Sequence, residues 1–204
     1  MKKHHLLLAV TALASVTTPI LAETFSYTAA AVSYDLLTAD IDGVSEDLEG
    51  DSVSFGLSIG VSPNLAFTAG YGTGSVDVTS GGDTLEADID AWGIGVLYHS
   101  PINKSADFVA GIDLIQGTID LKLNGALLTS EDANGNSISI GIRVMAANDL
   151  ELNGFIDRSD IEDSTNTDID FGAAFYIDKS VSLNIDYSLD NDGNTLSFGA
   201  MKYF

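Results

Sequence analysis

The sequence predicts an all-β chain, a transmembrane up-and-down antiparallel β-barrel of ten strands, with eight as the alternative count. Three observations carry this. Apolar residues recur at every second position along most of the chain. No segment after the first 22 residues reaches the roughly 18 uninterrupted apolar residues of a membrane helix, so a chain that crosses a membrane must do so as a barrel. The connections between alternating segments are short and long by turns.

The first element is not a strand. Met1-Lys2-Lys3 supplies a positive start, residues 6–16 an apolar stretch too short to span a bilayer, and Ala22 a small residue before Glu23. Residues 1–22 are therefore expected to be a secretory signal peptide and 23–204 the barrel. Lys and Arg total 8 against 30 Asp and Glu, a formal net charge of −22, and loss of Lys2 and Lys3 with the signal makes the remainder more negative still. Nucleic acid and anionic surfaces are poor partners for such a chain. The absence of cysteine excludes a lipoprotein anchor and a disulfide framework.

Weak alternation covers 24–37. The next segment, "SVSFGLSIGV", alternates without error: Val53, Phe55, Leu57, Ile59 and Val61 on one parity, Ser52, Ser54, Gly56, Ser58 and Gly60 on the other. Weaker alternation follows at 65–75, 85–99 and 106–123. Ile138, Ile140, Ile142 and Val144 then face away from Ser137, Ser139, Gly141 and Arg143. After a weaker segment at 150–159, Ile169, Phe171, Ala173, Phe175 and Ile177 face away from Asp168, Asp170 and Gly172, and Val181 to Leu189 repeat the pattern before the terminal stretch 194–204. A period of two is incompatible with an amphipathic helix.

The connections at 62–64, 100–105, 147–149 and 178–180 are short, whereas 38–50, 76–84, 124–135 and 159–166 are longer and polar or acidic. A soluble sandwich has no reason to keep every second connection short. A membrane barrel does, with short turns at one rim and long loops at the other. Tyr34, Phe67, Tyr71, Tyr98, Phe108, Phe175 and Tyr187 fall near segment ends, where interfacial girdles are expected.

The end of the chain, "TLSFGAMKYF", carries Leu196, Phe198, Ala200 and a terminal Phe204 on alternating positions. Here the chain resembles the small outer-membrane β-barrel proteins of Gram-negative bacteria. The resemblance is porin-like and similar to small adhesin-like barrels alike, and it extends over the mature chain. It implies an outer-membrane location with both termini in the periplasm, insertion by the barrel-assembly machinery reading Leu196, Phe198, Ala200 and Phe204, and contact with outer-membrane lipid and lipopolysaccharide. Lys202 interrupts the apolar parity, and its long side chain suits an interfacial level.

In such a barrel the large apolar face meets lipid and the Ser/Gly/Asp face lines the interior. The ionisable residues of the inward parity are Asp113, Arg143, Glu151, Asp157, Asp168, Asp170 and Asp186. Two readings stand side by side: an ion-pair network around Arg143, facing Asp113 or an acid on the opposite wall, or an acidic, hydrated lumen that favours cations. A ten-stranded barrel is wider than one of eight, which its side chains about fill.

Asp40, Asp42, Gly43 and Glu49 have EF-hand-like spacing, but Thr38 stands where the first carboxylate belongs, so these are weak metal candidates. Asn134-Gly135 and Asp192-Gly193 read as hairpin turns. The mature chain has one histidine, His99, beside a short turn and expected at the interface. Enzymes of the architecture that the chain resembles place a histidine at the other rim, so neither catalysis nor a cofactor is expected. The activity expected is passive passage of small cations or polar solutes. The alternative is a non-conducting surface adhesion, binding or envelope-structural barrel with acidic extracellular loops.

Overall fold

A computed structural model of the chain describes residues 28–39, 48–80, 82–190 and 193–204. The proposed signal segment, Asp40 and Asp42 lie outside them. Ten strands follow in order: β1 Ala29–Ala39, β2 Leu48–Ser62, β3 Leu65–Ser80, β4 Asp83–Asn103, β5 Ala106–Leu123, β6 Ala126–Met145, β7 Leu150–Ile161, β8 Ser164–Asp178, β9 Val181–Leu189 and β10 Gly193–Tyr203. Each pairs antiparallel with its neighbours in sequence. β1 closes on β10 from Ala29 opposite Tyr203 to Ala39 opposite Gly193, so no strand of the ring is left without a neighbour on either side.

The predicted parity holds. Phe55, Leu57, Ile59, Ile138, Ile140, Ile142, Ile169, Phe171 and Phe175 are exposed on the outer face, and Ser52, Ser54, Ser58, Ser139, Asp168 and Asp170 are buried in the interior. Leu196, Phe198, Ala200 and Phe204 share the outward parity of β10 and the chain end. Lys202 lies on that face at the short-turn rim, where its Nζ donates to Ser180 Oγ at 2.7 Å.

The long connections differ from expectation. Most of 76–84, 124–135 and 159–166 is strand. β4 runs for 21 residues and β6 for 20, about twice the 9–11 that a bilayer needs. Asn134-Gly135, expected as a turn, lies inside β6 opposite β7. The turn is instead Asn124-Gly125, with φ of 51° and 79°, the left-handed pair that a two-residue hairpin requires. Asn124 also accepts from the Thr84 backbone N–H at 2.9 Å and donates to Asp83 at 2.8 Å, which ties the β5–β6 hairpin to the β3–β4 hairpin. At the β9–β10 connection the Asp190 carboxylate accepts from the backbone N–H of Gly193.

Along these tall strands the polarity of the two faces inverts while the parity stays fixed. On β4, Trp92, Ile94, Val96 and Tyr98 are exposed outward with Gly93 and Gly95 between them, whereas towards the long-loop rim Ala87, Ile89 and Ala91 are buried inward and alternate with Glu86, Asp88 and Asp90. The outward residues of β5 change in the same sense after Leu114, to Gln116, Thr118, Asp120 and Lys122. Below the inversion the wall suits lipid outside and polar groups inside. Above it the wall suits water outside and a dry interior.

Candidate functional site

The barrel interior has three levels. Next to the long-loop rim, inward side chains from seven strands, among them Leu37, Leu48, Val76, Ile89, Ile119 and Ile161, pack into one apolar cluster whose members are 1–6% exposed. The sequence reading placed polar and small residues throughout the lumen and missed this level. Its signal is the inverted alternation at 85–91 and 115–121.

The middle level is acidic. Asp35, Asp113, Asp157, Asp168, Asp170 and Asp186 all project inward. Thr68 Oγ1 donates to Asp113 at 3.0 Å, Ser52 Oγ to Asp35 at 2.8 Å and Asn166 Nδ2 to Asp168 at 2.8 Å. Asp157 sits directly opposite Asp168 in the β7–β8 register. Glycines make the room. A Cβ on Gly95 would fall on the Asp113 carboxyl, and one on Gly172 would fall on the carboxyl of Asp186 and the amide of Asn153. A cavity of about 70 Å³ lies in this level, lined in part by Asp35, Asp170, Asp186, Asn153 and Asn184. Asp35 was not among the expected lining residues, because the 24–37 segment alternates weakly.

Nearest the short turns, Arg143 on β6 and Glu151 on β7 form an ion pair through Nε and Nη2, with side chains 1% and 0% exposed. Tyr176 Oη donates to the other Glu151 oxygen at 2.7 Å, its ring stacks on Tyr203 with centroids 5.8 Å apart, and Ser182 closes the group. The partner of Arg143 is therefore a residue of the adjoining strand, not Asp113 and not an acid across the lumen. Only eight residues separate the two along the chain, so a single tight connection brings them together. His99, expected at the interface, is also inside this level, 1% exposed, with Nδ1 4.0 Å from Asp107. A recess of about 700 Å³, lined in part by Asp107, Asp149, Tyr176 and Lys179, opens beyond it.

The two rims carry different electrostatics. At the short-turn rim the Ser180 hydroxyl and backbone N–H donate to Asp178 and hold its carboxyl below the usual range. On the outer face of the long-loop extension the hydrogen bond to Asp88 holds the Lys122 ammonium above its usual value, with Glu86 3.5 Å away. Of the weak metal candidates, Glu49 is an exposed residue of β2 opposite Asp77. Among the described residues no three His, Asp or Glu side chains are grouped so that they would hold a metal ion.

Comparison with known proteins agrees with the architecture. The transport unit of the autotransporter AIDA-I from Escherichia coli superposes with a TM-score of 0.63 at 10% identity, covering 97% of this chain and 96% of that one. Neisserial surface protein A gives 0.49 at 14% identity over 89% and 100%. Ail, the attachment invasion locus protein of Yersinia pestis, gives 0.46 at 9% over 88% and 99%. No curated protein matches the sequence. The family model described as the outer membrane protein beta-barrel domain matches residues 6–201. With its closed ten-stranded wall, the chain belongs to that family of Gram-negative outer-membrane barrels.

Proposed function

We propose that this outer-membrane barrel works closed, as a non-conducting envelope barrel that presents its tall hairpins and acidic outer face at the cell surface, with both termini in the periplasm. The observation that carries this is the apolar cluster. Eleven inward side chains from seven of the ten strands pack on one another where an open channel would need a wet lining. The buried Arg143–Glu151–Tyr176 group supports the same reading from the other end. On this reading the partners are outer-membrane lipid, lipopolysaccharide and, through Leu196, Phe198, Ala200 and Phe204, the assembly machinery.

A narrow passage that prefers small cations or polar solutes is the second reading, favoured by the carboxylates of the middle level. It requires the apolar cluster to part. Planar-bilayer recording of the purified barrel separates the two. The closed reading expects no steps across a range of salt and voltage. Cation-selective steps that lose selectivity in Asp168→Asn/Asp170→Asn would overturn it in favour of the passage.

A further inference from the structure

Closure leaves the ring without a first or last strand, but neighbouring strands of unequal height still bare an edge. β6 pairs with β5 from Ala126 opposite Leu123 to Val144 opposite Ala106, whereas its pairing with β7 begins only at Gly135, opposite Ile161. Residues 126–134 therefore have a strand on one side and, among the described residues, none on the other. At about 3.3 Å per residue this edge is roughly 30 Å long. Its direction is fixed at the base. The Asn134 backbone N–H donates to Glu162 Oε1 at 2.8 Å and the Asn134 carbonyl accepts from the Glu162 N–H at 3.0 Å, both on the side away from β5. The register of β6 against β5 is regular from Thr129 to Asn134, so the N–H and C=O groups of Ser130 and Asp132 point the same way as those of Asn134, and no described strand meets them. On the other side of the tall sheet the edge is short, because β2 stays paired with β3 up to Glu49 opposite Asp77.

We propose that this edge is a docking site for an extended, basic segment of another protein, which adds to β6 as a further strand. Exposed sheet edges are ordinarily blunted by proline, lysine, bulges or a covering loop. Residues 126–134 contain no proline and no lysine, and the bulge at Leu128 lies only at the tip. The charges around the edge are acids: Asp132 and the Asp120 of β5 on the outer face, Glu131 on the inner parity, Glu162 and Asp163 at the base. Lys122 of the same hairpin is engaged by Asp88 and Glu86 on the side of β4. A second copy of the edge would bring more acid to acid, so charge disfavours self-pairing. A segment with lysine or arginine on both of its faces sets cations beside Glu131 and Asp132. In strand addition the main-chain hydrogen bonds supply affinity and the neighbouring side chains supply selectivity. Leu127 and Leu128 at the tip, 60% and 59% exposed, add apolar contact. Docking of this kind requires the reading above only in that the long-loop rim faces outside. It does not require a closed barrel.

The test is the fluorescence anisotropy of labelled peptides, as long as the edge, titrated with the folded barrel in neutral detergent. A peptide of alternating lysine and threonine is expected to bind about tenfold or more tightly than the same peptide N-methylated at every residue, which keeps the charge and loses the donors. Its counterpart with glutamate for lysine should not bind. Ser130→Pro removes an N–H from the free side without touching the ladder to β5 and should weaken binding severalfold. Glu131→Gln/Asp132→Asn should weaken it and flatten its salt dependence, whereas Asp77→Asn, on β3 at the far side of the tall sheet, should leave it unchanged. Should Ser130→Pro not fold, the N-methylated peptide on the unaltered barrel decides. Equal affinity for the two lysine peptides, or binding undiminished in folded Ser130→Pro, would overturn the proposal in favour of a diffuse acidic surface. Self-association of the peptide-free barrel that Ser130→Pro abolishes would overturn it in favour of a second copy. Absence of binding by every peptide would overturn it and leave the closed-barrel reading, which bilayer recording tests, where it stood.

Discussion

Arg143 and Glu151 lie on adjoining strands with almost no exposure to solvent, and the Glu151 oxygen that Arg143 leaves free accepts a hydrogen bond from Tyr176. Removing either charge alone strands the other. Arg143→Met or Glu151→Gln should each lower stability by about 3–5 kcal/mol, read as the urea midpoint of the folded barrel in micelles. Arg143→Met/Glu151→Met should recover much of the loss. A double variant as unstable as the sum of the singles would show that the two side chains act independently.

Gly95 is a second point of tight coupling, because a methyl group there would occupy the place of the Asp113 carboxyl. Gly95→Ala should cost about 1–3 kcal/mol, and Gly95→Ala/Asp113→Ala should restore most of it by clearing the space. Unfolding curves of the four proteins check this. No recovery in the double variant would refute the contact.

On the outer face, Ile140→Arg is expected to impair assembly, since an arginine at the bilayer midplane of a barrel costs about 2–4 kcal/mol. Ser139→Thr, on the neighbouring inward position, should cost far less. The readout is the fraction of heat-modifiable, folded protein in the outer membrane. Equal damage at the two sites would contradict the assigned faces.

Orientation is open to a direct assay. With the long-loop rim outside, cysteine at Leu127 or Asp163 should react with a membrane-impermeant maleimide on intact cells, and cysteine at Asn148 or Lys179 only after the outer membrane is permeabilised. The reverse labelling pattern would invert the topology.

The strands were legible in the sequence wherever lipid imposes a contrast. Ser52 to Val61 and Asp168 to Ile177 alternate large apolar with small or charged residues, and the structure places those residues on the predicted faces. Legibility failed above the bilayer. At 130–135 the outward Ser130, Asp132 and Asn134 are polar and the inward Glu131, Ala133 and Gly135 form no apolar series, so nothing distinguishes strand from loop, and Asn134-Gly135 mimics a turn inside β6. The inward acids were legible by parity alone. Which of them meet was not, because the Arg143–Glu151 pairing depends on a tight connection between strands, which a period of two does not encode. His99 lies on the inward parity of β4 with Gly93, Gly95 and Leu97, and its place beside a short turn hid that signal.

The polarity inversion along β4 acts as a depth gauge. Trp92 and Tyr71 stand side by side in the β3–β4 register, and the next outward residue of β4, Asp90, accepts a 2.7 Å hydrogen bond from the Tyr71 hydroxyl. Sinking the barrel by one pair of residues would drive Asp90 into hydrocarbon, and lifting it by one pair would strip lipid from the Trp92 ring, so the waterline is written into the wall and not left to the loops. Above that line the tall strands β3 to β6 carry the wall onward, and inward side chains of β1 to β7 give it a dry filling of its own, a chimney rising from one side of the barrel.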